Sequence, residues 1–119
     1  MNSIRFNYLD RDGSNYKSWG EVIFLNPENL ALIEIEIKLL DAFLEDKQFI
    51  ASQISIPEKF LFINGKFTRD DHCYHEFGCV EVCEEDSADS SGRSIADFLR
   101  DVETASKQGW KAFDILDRA

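Results

Sequence analysis

Ile4, Phe6 and Tyr8 alternate with Arg5 and Asn7. A period of two places the three apolar side chains on one face of a strand and the polar pair on the other, the signature of a half-buried sheet. Turn formers follow at Asp10-Arg11-Asp12-Gly13-Ser14-Asn15, with Gly13 free to take positive φ. Trp19 to Leu25, rich in aromatic and β-branched residues, then returns antiparallel as a hairpin partner. Asn26-Pro27 closes it, since the residue before proline is pushed out of the helical region.

The segment from 30 to 45 carries two patterns at once. Leu32, Ile33, Leu40 and Leu44, with Ile37 between them, make a helical stripe, whereas Ile33-Glu34-Ile35-Glu36-Ile37-Lys38 alternates as a strand would. About fifteen residues without a breaker is long for a strand, and Leu, Ala, Glu and Lys favour helix, so a helix is expected. Glu45-Asp46-Lys47 is a loop leading to Phe49 and Ile50, and Phe60 to Ile63 reads as a short strand before an Asn64-Gly65 turn. Tyr74 to Cys83 is a further strand with Val80 and Val82 on one face, and the polar, acidic stretch Glu84 to Gly92 is a surface loop. Ser94 with Asp97 forms a capping box ahead of Ile95, Phe98, Leu99 and Val102 at helical spacing; Glu103 and Lys107 pair on the polar side and Gly109 is the C-cap. Trp110, Phe113 and Leu116 fold back on the core. The expected architecture is one α+β domain over 1–119: an antiparallel sheet of about four to five strands with two helices packed on one face.

Composition narrows the class. The 119 residues are 44% hydrophobic with ten phenylalanines, enough for one packed core and too few for two. No apolar run exceeds four residues, against about 20 for a membrane-spanning helix and about 7 to 15 for a signal-peptide core, so neither is expected. Thirteen Lys and Arg against 23 Asp and Glu leave −10, which argues against a nucleic acid or an anionic membrane as the main partner. Three cysteines, an odd number without an export signal, fit the reducing cytoplasm.

Both histidines and all three cysteines fall between His72 and Cys83. On a strand, Cys73, His75, Cys79 and Cys83 share a face and are soft enough for zinc, but ten residues at about 3.3 Å each is too long for one tetrahedral site. Coiled helically, the block brings Asp71, His72, His75 and Glu76 toward a harder site for manganese or iron. The bland alternative makes Cys79 and Cys83 small core residues and leaves the histidines hydrogen-bonded or at the surface. No Cys-x-x-Cys knuckle, well-placed Cys–His dyad or phosphate loop is present, so no cofactor is required by the sequence.

From Asp70 to Asp89 there are eight acids and no Lys or Arg. Glu81, Glu84, Glu85, Asp86 and Asp89, on a strand and its loop, would attract a basic partner; the commoner fate of such a run is a solvated loop. Tyr16, Trp19 and Trp110 belong to types enriched at binding hot spots, although in a small domain they more often roof the core.

Asn15-Tyr16-Lys17, Gly20-Glu21-Val22-Ile23-Phe24, Asn26-Pro27, Asp71-His72, Tyr74-His75-Glu76-Phe77 and Arg93-Ser94-Ile95 together give the chain a pattern that resembles a family of small, acidic, uncharacterised bacterial proteins. Tyr74 and Ala31 depart from that pattern, which more often has tryptophan and a helix-capping serine there. The family has no established activity, so the resemblance implies no functional residue. By analogy with small acidic proteins, an immunity- or inhibitor-like module binding a basic protein is the expected function. The alternatives are a metal-dependent hydrolase-like protein using Asp71, His72, His75 and Glu76, and a homodimer joined at a sheet edge.

Overall fold

The computed structural model describes residues 2–11, 17–59 and 73–114. In chain order these form β1 (Ser3–Arg11), β2 (Lys17–Leu25), α1 (Leu32–Ala42), a short 3-10 turn, β3 (Gln48–Phe49), a second 3-10 turn at Ala51–Ile54, β4 (His75–Cys83) and α2 (Ile95–Gln108). The strands make one antiparallel sheet of order β2-β1-β4-β3, and the two helices complete an α+β fold. The expected turn at 12–15, the Phe60 to Ile63 strand, the Asn64-Gly65 turn and Leu116 lie outside the described residues.

The alternation in β1 builds the core as expected. Ile4, Phe6 and Tyr8 are fully buried and stand opposite Phe24, Val22 and Gly20 of β2. Phe6 is the centre of the core, with ring centroids of Phe98 at 5.1 Å, Phe77 at 5.4 Å and Phe49 at 5.9 Å. Gly20 is dictated by its neighbour: a Cβ there would lie 2.8 Å from Tyr8 Cζ. The Tyr8 hydroxyl donates to the Pro57 carbonyl at 2.6 Å, and burial pushes its phenol well above the ordinary value.

β4 runs in register with β1 from Ser3↔Cys83 to Asn7↔Cys79 and then resumes at Tyr8↔Phe77, so Gly78 is the extra residue of a β-bulge. The Trp19 ring lies against this point, 3.0 Å from where a Gly78 Cβ would stand. Past β4 the chain crosses from one side of β1 to the other. The Ala88 amide and the Ser87 hydroxyl donate to the Ile23 carbonyl, and Ser94 bridges to Leu25 of β2. The loop at 84–92 is thus a tied strap that delivers α2 to the sheet.

α2 opens with the expected capping box: Ser94 Oγ accepts from the Asp97 amide, and the Asp97 carboxylate accepts from the Ser94 amide. It stops at Gly109, at φ 92. α1, by contrast, starts at Ala31 without a side-chain cap. The Trp110 indole N–H donates to the Ala42 carbonyl at 2.9 Å, capping the end of α1, while 109–114 take no regular structure.

Two readings are corrected. The stripe named for α1 is not its core face: Ile35 and Leu39 are fully buried, while Ile33, Ile37 and Leu40 point outward. Likewise the buried cysteine is Cys73; Cys79 is exposed and Cys83 intermediate, all three being free thiols.

Candidate functional site

The pleat of β4 parts the two described members of the histidine–acid block, His75 and Glu76. His75 points inward, buried with Tyr8 and Phe49 rings at 5.9 and 6.2 Å, and its Nε2 accepts from the Lys59 amide at 2.9 Å. Glu76 points to the other face and receives Arg11 Nε at 3.3 Å and Nη2 at 3.0 Å. Neighbouring residues of a strand face opposite sides, so these two do not converge on one ion; the strand expected from Tyr74 to Cys83 is present as β4, and the alternative of helical coiling does not hold at 75–76. Asp71 and His72 lie outside the described residues. Among the described residues no three His, Cys, Asp or Glu are placed to hold a metal ion.

Four acids of the stretch, Glu76, Glu81, Glu85 and Asp89, are engaged with the chain's own arginines. Arg5 Nε, Nη1 and Nη2 meet Glu21 at 2.7 Å, Glu81 at 2.8 Å and Glu85 at 3.0 Å. Hydrogen bonds from Arg5 and then Asn7 hold the Glu81 carboxyl below its usual value. Asp89 is turned into the protein, its side chain 2% exposed, and grips Arg93. Of the five residues expected to meet a partner, Glu81, Glu85 and Asp89 are taken up in this way, and Glu84 and Asp86 are exposed at the surface.

Arg93 is a joint of the fold that charge counting along the chain misses. Its five N–H groups reach Asp89 twice, Asp101, and the carbonyls of Ile54 and Ser55, all between 2.9 and 3.1 Å. The guanidinium also lies 5.6 and 5.3 Å from the Phe24 and Phe98 ring centroids. The one sequence signal for it is its place just before the Ser94 cap.

Uncompensated charge gathers elsewhere. Glu28, Glu34, Glu36, Asp41, Glu45 and Asp46 make no ion pair among the described residues. Residues 28–47 hold these six acids and two lysines (Lys38 and Lys47), a net of −4. The same segment carries the largest run of exposed apolar side chains: Ile33 at 64%, Ile37 at 51%, Leu40 at 42% and, just past the helix, Leu44 at 40%. An apolar surface rimmed by charge is the usual mark of a protein-binding site. The sequence signal for it was the Ile33 to Lys38 alternation, which arises because this helix is apolar on two sides.

A shallow groove of about 470 Å³ on the sheet is lined by Arg5, Asn7, Trp19, Glu21, Lys59 and Glu81. Its arginine is already saturated by carboxylates, so it offers no anion site. No protein-family model matches this chain, and no curated protein or solved structure matches it either.

Proposed function

We propose that this protein is an interaction module that binds a basic protein in the cytoplasm, in an immunity- or inhibitor-like role. One observation carries the reading: internal ion pairs take up the described arginines, while the carboxylates around α1 face solvent and make no ion pair among the described residues. An acidic surface built this way draws a cationic partner by long-range attraction and repels polyanions. Its three free thiols are at home in a reducing compartment.

Affinity capture from a lysate at low salt and again at about 0.3 M salt, where exposed charges more than about 6 Å apart are screened, tests the reading. Basic proteins retained at low salt and lost at high salt are the expected outcome. A set of captured proteins with no basic bias, or one indifferent to salt, rejects it.

A further inference from the structure

The apolar residues on the outside of α1 follow a rule. Ile33, Ile37 and Leu40 are spaced four and then three residues apart, and Leu44 continues the spacing past the helix end. Four-three spacing is the d-a-d seam of a heptad coiled coil. With Ile33 at d, the flanking e positions are Glu34 and Asp41 and the flanking g position within the helix is Glu36. The f positions are Ile35 and Ala42, which face the protein's own core; Ile35 is fully buried there. The helix cannot roll, because Ile35 and Leu39 anchor it, so the seam is held outward.

We propose that α1 is half of a coiled-coil contact, and that its occupant is an amphipathic helix of the partner with Lys or Arg at its own e and g positions. The inference rests on the reading of this protein as a binder of basic proteins and says where and how it binds. Charge complementarity selects the occupant. The e and g positions decide coiled-coil pairing, and here every one inside the helix that flanks the seam is a carboxylate with no cation of its own. A second copy of α1 would set Glu34, Glu36 and Asp41 against the same three acids, and an anionic bilayer would meet the same repulsion. The seam within α1 runs from Ile33 to Leu40, seven steps of 1.5 Å or about 10 Å, so contact is short and the flanking charge supplies much of the selectivity.

The probes are two synthetic helical peptides of several heptads, both with Ile at a and Leu at d, one with Lys and the other with Glu at every e and g. Titrated into the full-length protein at low salt and followed by fluorescence anisotropy, the Lys peptide is expected to bind at least about ten-fold tighter than the Glu peptide. Joint replacement of Ile33→Ser, Ile37→Ser and Leu40→Ser removes the binding with the melting temperature retained, since all three are exposed. Charge reversal by Glu34→Lys, Glu36→Lys and Asp41→Lys inverts the preference. Equal binding of both peptides, no binding of either, self-association lost in the serine variant, or capture of the protein by phosphatidylserine vesicles through this stripe would each overturn the proposal. The wider reading is separable: salt-sensitive capture of a basic protein that survives the serine replacements removes the α1 seam and leaves the acidic module standing.

Discussion

Asp89 and Arg93 form a buried fork. Nε and Nη2 of Arg93 each lie 2.9 Å from a carboxylate oxygen of Asp89, and the Arg93 amide adds a third bond at 2.9 Å. The pair locks the strap after β4 onto the start of α2, and the other guanidinium bonds fasten the turn ending at Ile54. Removing one member leaves the other charged and buried. Asp89→Ala should therefore cost about 3 kcal/mol in urea denaturation, the scale of a broken buried ion pair, with Asp101 holding part of the arginine's charge. A loss within about 0.5 kcal/mol, the range of a surface change, would show the strap to be unimportant for stability.

The same pair sets an acid limit. Burial raises the Asp89 carboxyl, but the hydrogen bonds and charge of Arg93 outweigh it and hold it below its ordinary value. A carboxyl lowered in the folded state contributes stability that is fully present above its unfolded value, about 3.9, and is lost as pH falls through the folded one. Glu81, Asp97 and Glu103 are lowered too and act in the same direction. The stability gap between the wild type and Asp89→Asn is thus expected to be constant at neutral pH and to narrow below about pH 4. Denaturation midpoints of both proteins across that range check it, and a gap that widens in acid would contradict the ion pair.

Tyr8 and Gly20 give a steric test of the β1–β2 register. A Gly20→Ala methyl would meet Tyr8 Cζ at 2.8 Å and Lys59 Cγ at 2.7 Å. The lysine stem can swing away, but the packed ring cannot, so the substitution should cost about 1 to 3 kcal/mol as overpacking. Tyr8→Phe in the same background relieves the clash only in part, because it removes the hydroxyl contact at 3.0 Å and leaves the ring carbon at 2.8 Å; by itself it removes the bond to Pro57 and should cost about 1 kcal/mol. A combined cost somewhat below the sum of the two single costs would agree with this geometry. A Gly20→Ala protein as stable as the wild type would put the register in doubt.

The strands and α2 were legible because their signals are local: alternation for β1, the serine–aspartate box for α2, a proline after β2. The charge map was not. Arg5 and Glu81, or Arg11 and Glu76, lie far apart along the chain and are brought together by the β1–β4 pairing. A reading that counts charge along the sequence therefore locates surplus acid between 70 and 89, where arginines meet Glu76, Glu81, Glu85 and Asp89, and overlooks 28–47, whose six acids make no ion pair among the described residues. The core face of α1 was misread for a related reason. Two apolar sides on one helix give no single stripe to follow, and only its neighbours decide which side is covered.

Ile35 and Ile37 turn that last point into a measurement. They sit two residues apart in one helix, similar in every sequence-level respect, yet Ile35 is fully buried and Ile37 is 51% exposed. Ile35→Ala opens a cavity beneath the sheet and is expected to cost about 2 to 5 kcal/mol. Ile37→Ala removes only partly hydrated atoms and exchanges isoleucine for a better helix former, so its effect should stay within about 0.5 kcal/mol of zero. Chemical denaturation of the two variants at equal slope reads the difference directly. Comparable losses would mean that both sides of α1 are covered, and that the outward seam is not available to a partner helix; the predicted asymmetry keeps Ile33, Ile37 and Leu40 exposed without any cost to folding when they are changed.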